Sequence, residues 1–537
     1  MDDRSPPALA EEQPSRAARG VAASAVIVGI GQLLSRLMGL LRVTVVANVF
    51  GATAEVSSFN LASKVPTMFY DLLLGGMVTA ALVPVLSEYL GRGDRQEFER
   101  LASTLITLVT SLFVILVIAL EFGAPLLAIM VGGGQEASLL RLTTRLIQLI
   151  LPALAFLGAW GVTAAVLFAR QQFVFPALAS AVFNLGVILS ASLIGNRIGA
   201  TALSLGVVLG SVLQLVIILP GLRGLRLRPR FDLHHPALRR IVILYLPVIA
   251  SLLVANLGIV IDANLASRTS EQAVAWMDYA TRLIQLPLGL VSVAIATAAL
   301  PALARLTDDD GHRQFRRILA GALRLVLVLI IPATVALIVL GREGIRVFLE
   351  RGAFTPYDTY QVTWALLFYL PGLPFAAIDQ PLVFAFYARN DTVTPVLIGV
   401  AGVGAYLLVG PLLAFAFGLG FIGLVIANAV QLTTHCVLMW VMLQRKFGSM
   451  AGLGMLVTAA KSTLATCAMG LGMIAVLVGA RTVWPAPASA GRAALLLATA
   501  LVGVAIYIGG LAVLRVDELA GLLSFARGRL RGLARNR

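Results

Sequence analysis

AVIVGIGQLLSRLMGLLRVTVVANVF, residues Ala25 to Phe50, is apolar enough to enter a bilayer and still carries Arg36 and Arg42. At 1.5 Å per residue the stretch measures roughly 39 Å, longer than a hydrocarbon core of about 30 Å, so it is expected to span. A guanidinium near the bilayer centre costs about 2.5 to 3.5 kcal/mol even on insertion scales, which favours a cavity, a partner or an anionic ligand beside it. The alternative is that one of the two arginines snorkels to the interface.

The rest of the chain reads the same way. Its 537 residues are 59% hydrophobic and 12% charged, with a mean hydropathy of +0.93, which excludes a set of soluble domains. Gly, Pro and charged punctuation divide it into about 14 spans, running from residues 24–50 to 493–514. An all-α polytopic membrane protein is expected. Residues 1–23 lack the basic region and cleavage site of a signal peptide and read as a cytoplasmic tail. Cys436 and Cys467 have no metal or redox spacing.

A net charge of +15 would suggest nucleic acid in a soluble protein, but here the arginines and lysines follow topology. With the N-terminus inside, roughly 27 fall on inner segments against about 9 on outer ones, as the positive-inside rule requires for two cytoplasmic termini. No nucleic-acid partner is therefore expected.

An internal repeat supplies the organisation. LPALAFLGAWGVTAAVLFARQQFVFP (Leu151 to Pro176) aligns without a gap on LPGLPFAAIDQPLVFAFYARNDTVTP (Leu370 to Pro395), matching Pro152/Pro371, Arg170/Arg389 and Pro176/Pro395. The two stretches lie six spans apart, so the repeat is parallel, a transporter plan with the substrate site between the halves. The expected divisions are the tail 1–23, a six-helix bundle 24–221, a basic loop 222–240, a second six-helix bundle 241–443, two additional helices 455–514 and a basic tail 515–537.

Intramembrane polar residues should mark the site. The first bundle offers Arg36, Arg42, Lys64 and Asp71. In the eighth span Asp278 and Arg282 stand four residues apart on one face, as an internal ion pair or a ligand. Pro287 and Gly289 should loosen that helix. Asp262, alone in an apolar run, either titrates, pairs with a cation, helps hold a metal ion, or accepts a hydrogen bond from a neighbouring helix. Asn256, Asn264 and Asn428 read as helix-to-helix hydrogen-bonding groups. Arginine forks suit a diphosphate, so the cargo is expected to carry an anionic head group.

These residues resemble the MurJ (MviN) family of lipid II flippases, within the multidrug/oligosaccharidyl-lipid/polysaccharide exporter superfamily. The similarity runs through LLSRLMGLLRVTVVANVFGA (Leu33 to Ala52), DANLASR (Asp262 to Arg268), YATRLIQLPLGLVSVAIATAALPALARL (Tyr279 to Leu306), FLERGAFTPYDT (Phe348 to Thr359) and FYARNDTVTP (Phe386 to Pro395). The resemblance implies 14 helices that carry a lipid-linked peptidoglycan precursor from the inner to the outer leaflet of the bacterial cytoplasmic membrane. It places Ser35 and Arg36 in a first-span motif, Arg42 and Arg282 among arginines that hold the diphosphate, and Asp262 and Asn428 at a cation site. It implies a groove for an undecaprenyl tail along spans 13 and 14, no cofactor, coupling to Na+ or H+, membrane lipid as the surrounding partner, and a monomer.

The chain departs from the family pattern at several positions. Val43 and Ser57 stand where an acidic residue is common, Tyr70 and Asp71 where an arginine pair is usual, and Thr281 where an acid precedes Arg282. The eleventh span lacks polar ligands around Ala405 to Gly410. Another polyprenyl-diphosphate-linked oligosaccharide is thus an alternative cargo. A reading of another class is a membrane enzyme acting on polyprenyl phosphates, with Asp308, Asp309, Asp310 and His312 holding Mg2+.

Overall fold

The computed structural model describes residues 16–305, 311–389, 391–483 and 489–518. Asp308 to Asp310 lie outside them. Fourteen long helices run through the described residues, with no strand. They are α1 (Arg16–Phe50), α2 (Ala54–Gly91), α3 (Arg95–Gly132), α4 (Ala137–Ala169), α5 (Val174–Ile198), α6 (Thr201–Leu222) and α7 (Pro236–Ser267). After these come α8 (Ala273–Ala304), α9 (Gly311–Phe348), α10 (Pro356–Ala388), α11 (Val393–Ala416), α12 (Phe421–Phe447), α13 (Met455–Val483) and α14 (Ser489–Val513). Thirteen are long and apolar enough to cross a membrane, and in α7 the described apolar stretch is Leu252–Ser267.

The ends of these helices follow from local chemistry. Asp94 accepts the N–H groups of Gln96 and Glu97 at the start of α3, and Thr355 forms a reciprocal capping box with Asp358 ahead of Pro356 in α10. The repeat is visible in local structure as well: α4 and α10 end at Ala169 and Ala388, Arg170 and Arg389 cap them, and the next helices open at Val174 and Val393. Helices α2 and α8, six apart in order, both contain π-helical turns, at Asp71–Gly75 and Val78–Leu82 in the former and Leu288–Ser292 in the latter. The wide turn in α8 follows Pro287 directly, where the missing N–H breaks the ladder as expected.

The chain groups into two compact units. Unit 1 comprises Met1–Val45, Phe69–Gly123 and Gln148–Val248; unit 2 comprises Val46–Met68, Ala124–Ile147 and Ile249–Arg537. In unit 1, α5 and α6 approach so closely that a Cβ on Gly186 would sit 2.4 Å from Gly210 Cα, the small-residue packing expected where lipid supplies no hydrophobic drive. In unit 2, Phe315, Leu319, Leu382, Phe386, Met439 and Leu443 form one buried core. Helices α13 and α14 pack on α9 through Val328, Met469, Met473 and Tyr507, whose hydroxyl donates to the Val328 carbonyl at 2.6 Å.

Candidate functional site

Unit 1 contains Ser35, Arg36 and Arg42, all half-buried on α1. Arg42 Nη1 donates to Asn184 Oδ1 at 3.3 Å, and Asn184 in turn donates to the Ser180 carbonyl of α5. The guanidinium is therefore aimed by a neighbouring helix rather than left to snorkel. Asp71 begins the first π-helical turn of α2, and Tyr245 of α7 donates to the adjacent Leu72 carbonyl at 2.7 Å, satisfying backbone that the wide turn exposes.

Unit 2 contains an open-mouthed cavity of about 590 Å³ whose lining includes Lys64, Asp262, Asp278, Asp379, Asn428 and His435. Three expected residues, Lys64, Asp262 and Asn428, meet there. Arg282 grips the carboxylate of Asp278 with both ends of its fork, Nε at 2.7 Å and Nη2 at 3.3 Å, so the predicted internal pair is formed. Thr281 also lines the cavity, its hydroxyl turned back to the Met277 carbonyl. Asp262 accepts a 2.6 Å hydrogen bond from Tyr406 on α11, the neighbouring-helix option among those open to it. A phenol thus occupies one carboxylate oxygen from within the stretch that lacks the expected polar ligands.

Other positions have structural work. Ser57, 1% exposed, accepts the Ala275 N–H at the start of α8, so a hydroxyl here serves a helix end instead of carrying charge. Asn264 bridges to the Ile129 and Met130 carbonyls at the end of α3, as a helix-to-helix group should. Asn256 differs from expectation: its amide donates to Leu252 of its own helix, because that carbonyl lies one turn back within reach.

The pair Asp379 and His435 escaped sequence reasoning. Nδ1 of His435 lies 2.8 Å from Asp379 Oδ1, both side chains mostly buried at the cavity wall. The rule that singled out Asp262, one ionisable residue in an apolar span, applies equally to both and would have found them.

The signature segment Phe348 to Thr359 has a clear task. Gly352 (φ +57°) and Gly51 (φ +66°) interlock with the opposing backbone: a Cβ on Gly352 would lie 2.1 Å from the Asn48 carbonyl oxygen, and one on Gly51 2.4 Å from that of Ala353. Ala353 N–H donates to Asn48 at 2.9 Å, and Trp276 Nε1 to Asp358 at 2.9 Å, which ties α1, α8 and α10 at one end of unit 2. Only glycine meets both the left-handed backbone and the close approach.

Outside the spans, the Arg100 hydrogen bond holds the Asp232 carboxyl below its ordinary value. Burial pushes the Asp391 carboxyl up, but hydrogen bonds from Lys446 and Thr394 outweigh it and hold that group low.

Known proteins share this architecture. The family model described as lipid II flippase MurJ matches residues 46–487. The probable lipid II flippase MurJ of Vibrio cholerae is 31% identical over 430 residues, covering 78% of this chain and 82% of the relative. Lipid II flippase MurJ of Burkholderia cenocepacia is 28% identical, covering 77% and 82%. Among solved structures, a lipid II flippase MurJ in an inward closed conformation superposes with TM-score 0.76 at 21% identity, over 92% of this chain and all of that one. An inward-facing multidrug resistance transporter of the MATE family gives 0.68 at 13% identity, over 80% and 98%. The two solved structures show the fold, and the extent of the family match settles membership: the chain belongs to the lipid II flippase MurJ family.

Proposed function

We propose that this protein flips lipid II from the inner to the outer leaflet of the bacterial inner membrane, as a transporter and not an enzyme. The observation that carries the reading is the family match over 46–487, which includes the polar residues of α2, α7, α8 and α12 that line the unit 2 cavity. Ser35, Arg36, Arg42, Lys64 and Arg282 engage the diphosphate, for which forked guanidinium groups are the matching donors. The undecaprenyl chain stays in lipid along α13 and α14. Bundles 24–221 and 241–443 rock as alternating gates around the head group. Both termini face the cytoplasm, in keeping with the arginine bias, and the carrier works as a monomer. A potential negative inside favours outward movement of an anion by about 2.3 kcal/mol per charge per 100 mV. Asp262 and Asn428 serve a coupling cation, Na+ or H+, that resets the carrier.

The test is complementation and lipid II translocation in cells depleted of their own flippase. Wild-type protein restores both, and Arg42→Ala or Arg282→Ala restores neither. Full rescue by both variants removes the diphosphate site. Rescue of a different polyprenyl-diphosphate export defect, but not of this one, changes the cargo. Loss of transport in Asp262→Ala only when the cation gradient is present identifies the coupling ion.

A further inference from the structure

We propose that the segment Arg226 to Leu233 is a docking surface for the head groups of acidic phospholipids. It lies wholly in unit 1 and is independent of how cargo is carried. Leaving α6, the chain runs beside the first turns of α3: Arg228 N–H donates to Ser103 Oγ at 3.2 Å and Arg230 N–H to Thr107 Oγ1 at 3.1 Å. Pro229 between them disfavours helix at Arg228 and keeps the strap open. At Phe231 the chain turns back, because Asp232 is held by Arg100 (Nε at 3.0 Å) and His235 by Glu97 (3.2 Å), both nearer the start of α3.

The cations of this strap outnumber its one acid, Asp232, which Arg100 already holds. Arg226, Arg228 and Arg230 are exposed and, with Arg95 and Arg100, line a groove of about 860 Å³. The acids in that groove are engaged: Glu99 by Arg95, Glu97 by Arg100 and His235, Asp94 by the first N–H groups of α3. Among the described residues no hydrogen bond or ion pair reaches the guanidinium groups of Arg226 and Arg228, while Arg230 lies in the field of Asp232, whose carboxyl already accepts from Arg100. Beside these cations Phe231 is 69% and Leu233 70% exposed.

Depth identifies the occupant. Outward apolar side chains on α3 begin at Leu112 and continue through Val114, Ile115, Ile118 and Phe122. Thr107, which anchors Arg230, is five residues before Leu112, roughly 8 Å along the axis, and the head-group layer on each side of the core is about 5 to 8 Å thick. Arg230 therefore stands at phosphate level with Phe231 at the turn, and Arg228, anchored four residues nearer the start of α3, begins roughly 6 Å further out and reaches that level through its long side chain. A phosphodiester matches a guanidinium fork, and an aromatic beside it suits the interface. A soluble anion would leave Phe231 and Leu233 in water; a zwitterionic lipid would leave the excess positive charge of the strap unbalanced.

The full-length protein, purified in detergent, is offered phosphatidylglycerol or phosphatidylcholine, and retained lipid is counted by native mass spectrometry. Wild type keeps phosphatidylglycerol in preference. Arg226→Gln/Arg228→Gln/Arg230→Gln, whose strap still hangs on its backbone N–H groups, loses that retention by roughly a hundredfold, as three cations at an anionic surface imply. Phe231→Ser weakens both lipids alike. Unchanged phosphatidylglycerol retention in the triple variant, equal retention of phosphatidylcholine by wild type, or displacement by inorganic phosphate overturns the proposal. The wild-type protein gives a test free of folding effects: retention must fall from about 50 mM to about 500 mM salt, and salt-insensitive binding also overturns it.

Discussion

The stretch Leu151 to Pro176 in unit 1, from α4 into α5, and the stretch Leu370 to Pro395 in unit 2, from α10 into α11, share their proline and arginine punctuation and differ in what they place between. Where the first stretch has Trp160 and Gln172, the second has Asp379 and Asp391. Trp160 lies beside Tyr70, rings 6.5 Å apart, while Asp379 meets His435 at 2.8 Å and Asp391 meets Lys446. The shared arginine diverges too: Arg170 donates to the Gly221 carbonyl at 3.1 Å, whereas Arg389 lies over the rings of Phe315 and Phe447. One backbone plan thus serves as an apolar frame in unit 1 and as a carrier of ionisable groups in unit 2. Duplicated scaffold fixes where helices start and stop; the chemistry is written separately in each copy.

That contrast can be broken by substitution. The largest expected effect is in Asp379→Asn: the loss of a charge-assisted hydrogen bond lowers lipid II translocation roughly tenfold or more, while Trp160→Phe at the matching place stays near wild type. Equal damage from both would erase the distinction. Next comes Gly352→Ala, which combines a left-handed backbone with a 2.1 Å overlap; thermal unfolding should show a loss of about 2 kcal/mol or more. Its unit 1 counterpart, Gly186→Ala, meets a comparable overlap without backbone strain and should cost less.

Of similar or smaller size is the tyrosine pair. Tyr406→Phe removes a donor to a carboxylate, a loss of about 1.5 to 3 kcal/mol, and Tyr245→Phe removes one to a carbonyl, about 1 kcal/mol, both readable from chemical denaturation. The smallest effect concerns pH. Because the folded Asp391 carboxyl is held below its ordinary value, it binds its proton less readily in the folded state. Its contribution is present above the ordinary carboxylate pKa of about 3.9 and lost as pH falls through the depressed value. Asp391→Asn should flatten that acid limb of the unfolding temperature, whereas Gln172→Asn should leave it unchanged.

Spans were legible because each is a predominantly apolar run of about bilayer length, and the capping arginines because they stop two such runs at equal spacing. The Asp278–Arg282 pair was legible because both residues lie on one helix, four apart. Partners on different helices were not: nothing local to Asp262 announces Tyr406, 144 positions away, nor does Ser57 announce the N–H of Ala275, 218 away. The charge on the unit 2 cavity depends on such distant pairings, and a reading by spans sees each member alone.

The wide turn Leu288–Ser292 after Pro287 has a consequence for how this chain can vary. Such a turn holds one residue more than a regular helical turn requires. Excising a single residue there should let α8 close up and keep Val293 to Ala304 on their present bearings; excising one elsewhere in the helix would swing every later side chain by about 100°. A one-residue deletion, ordinarily ruinous in a membrane span, therefore has one address in α8 where it should be absorbed, at the expense of the bend.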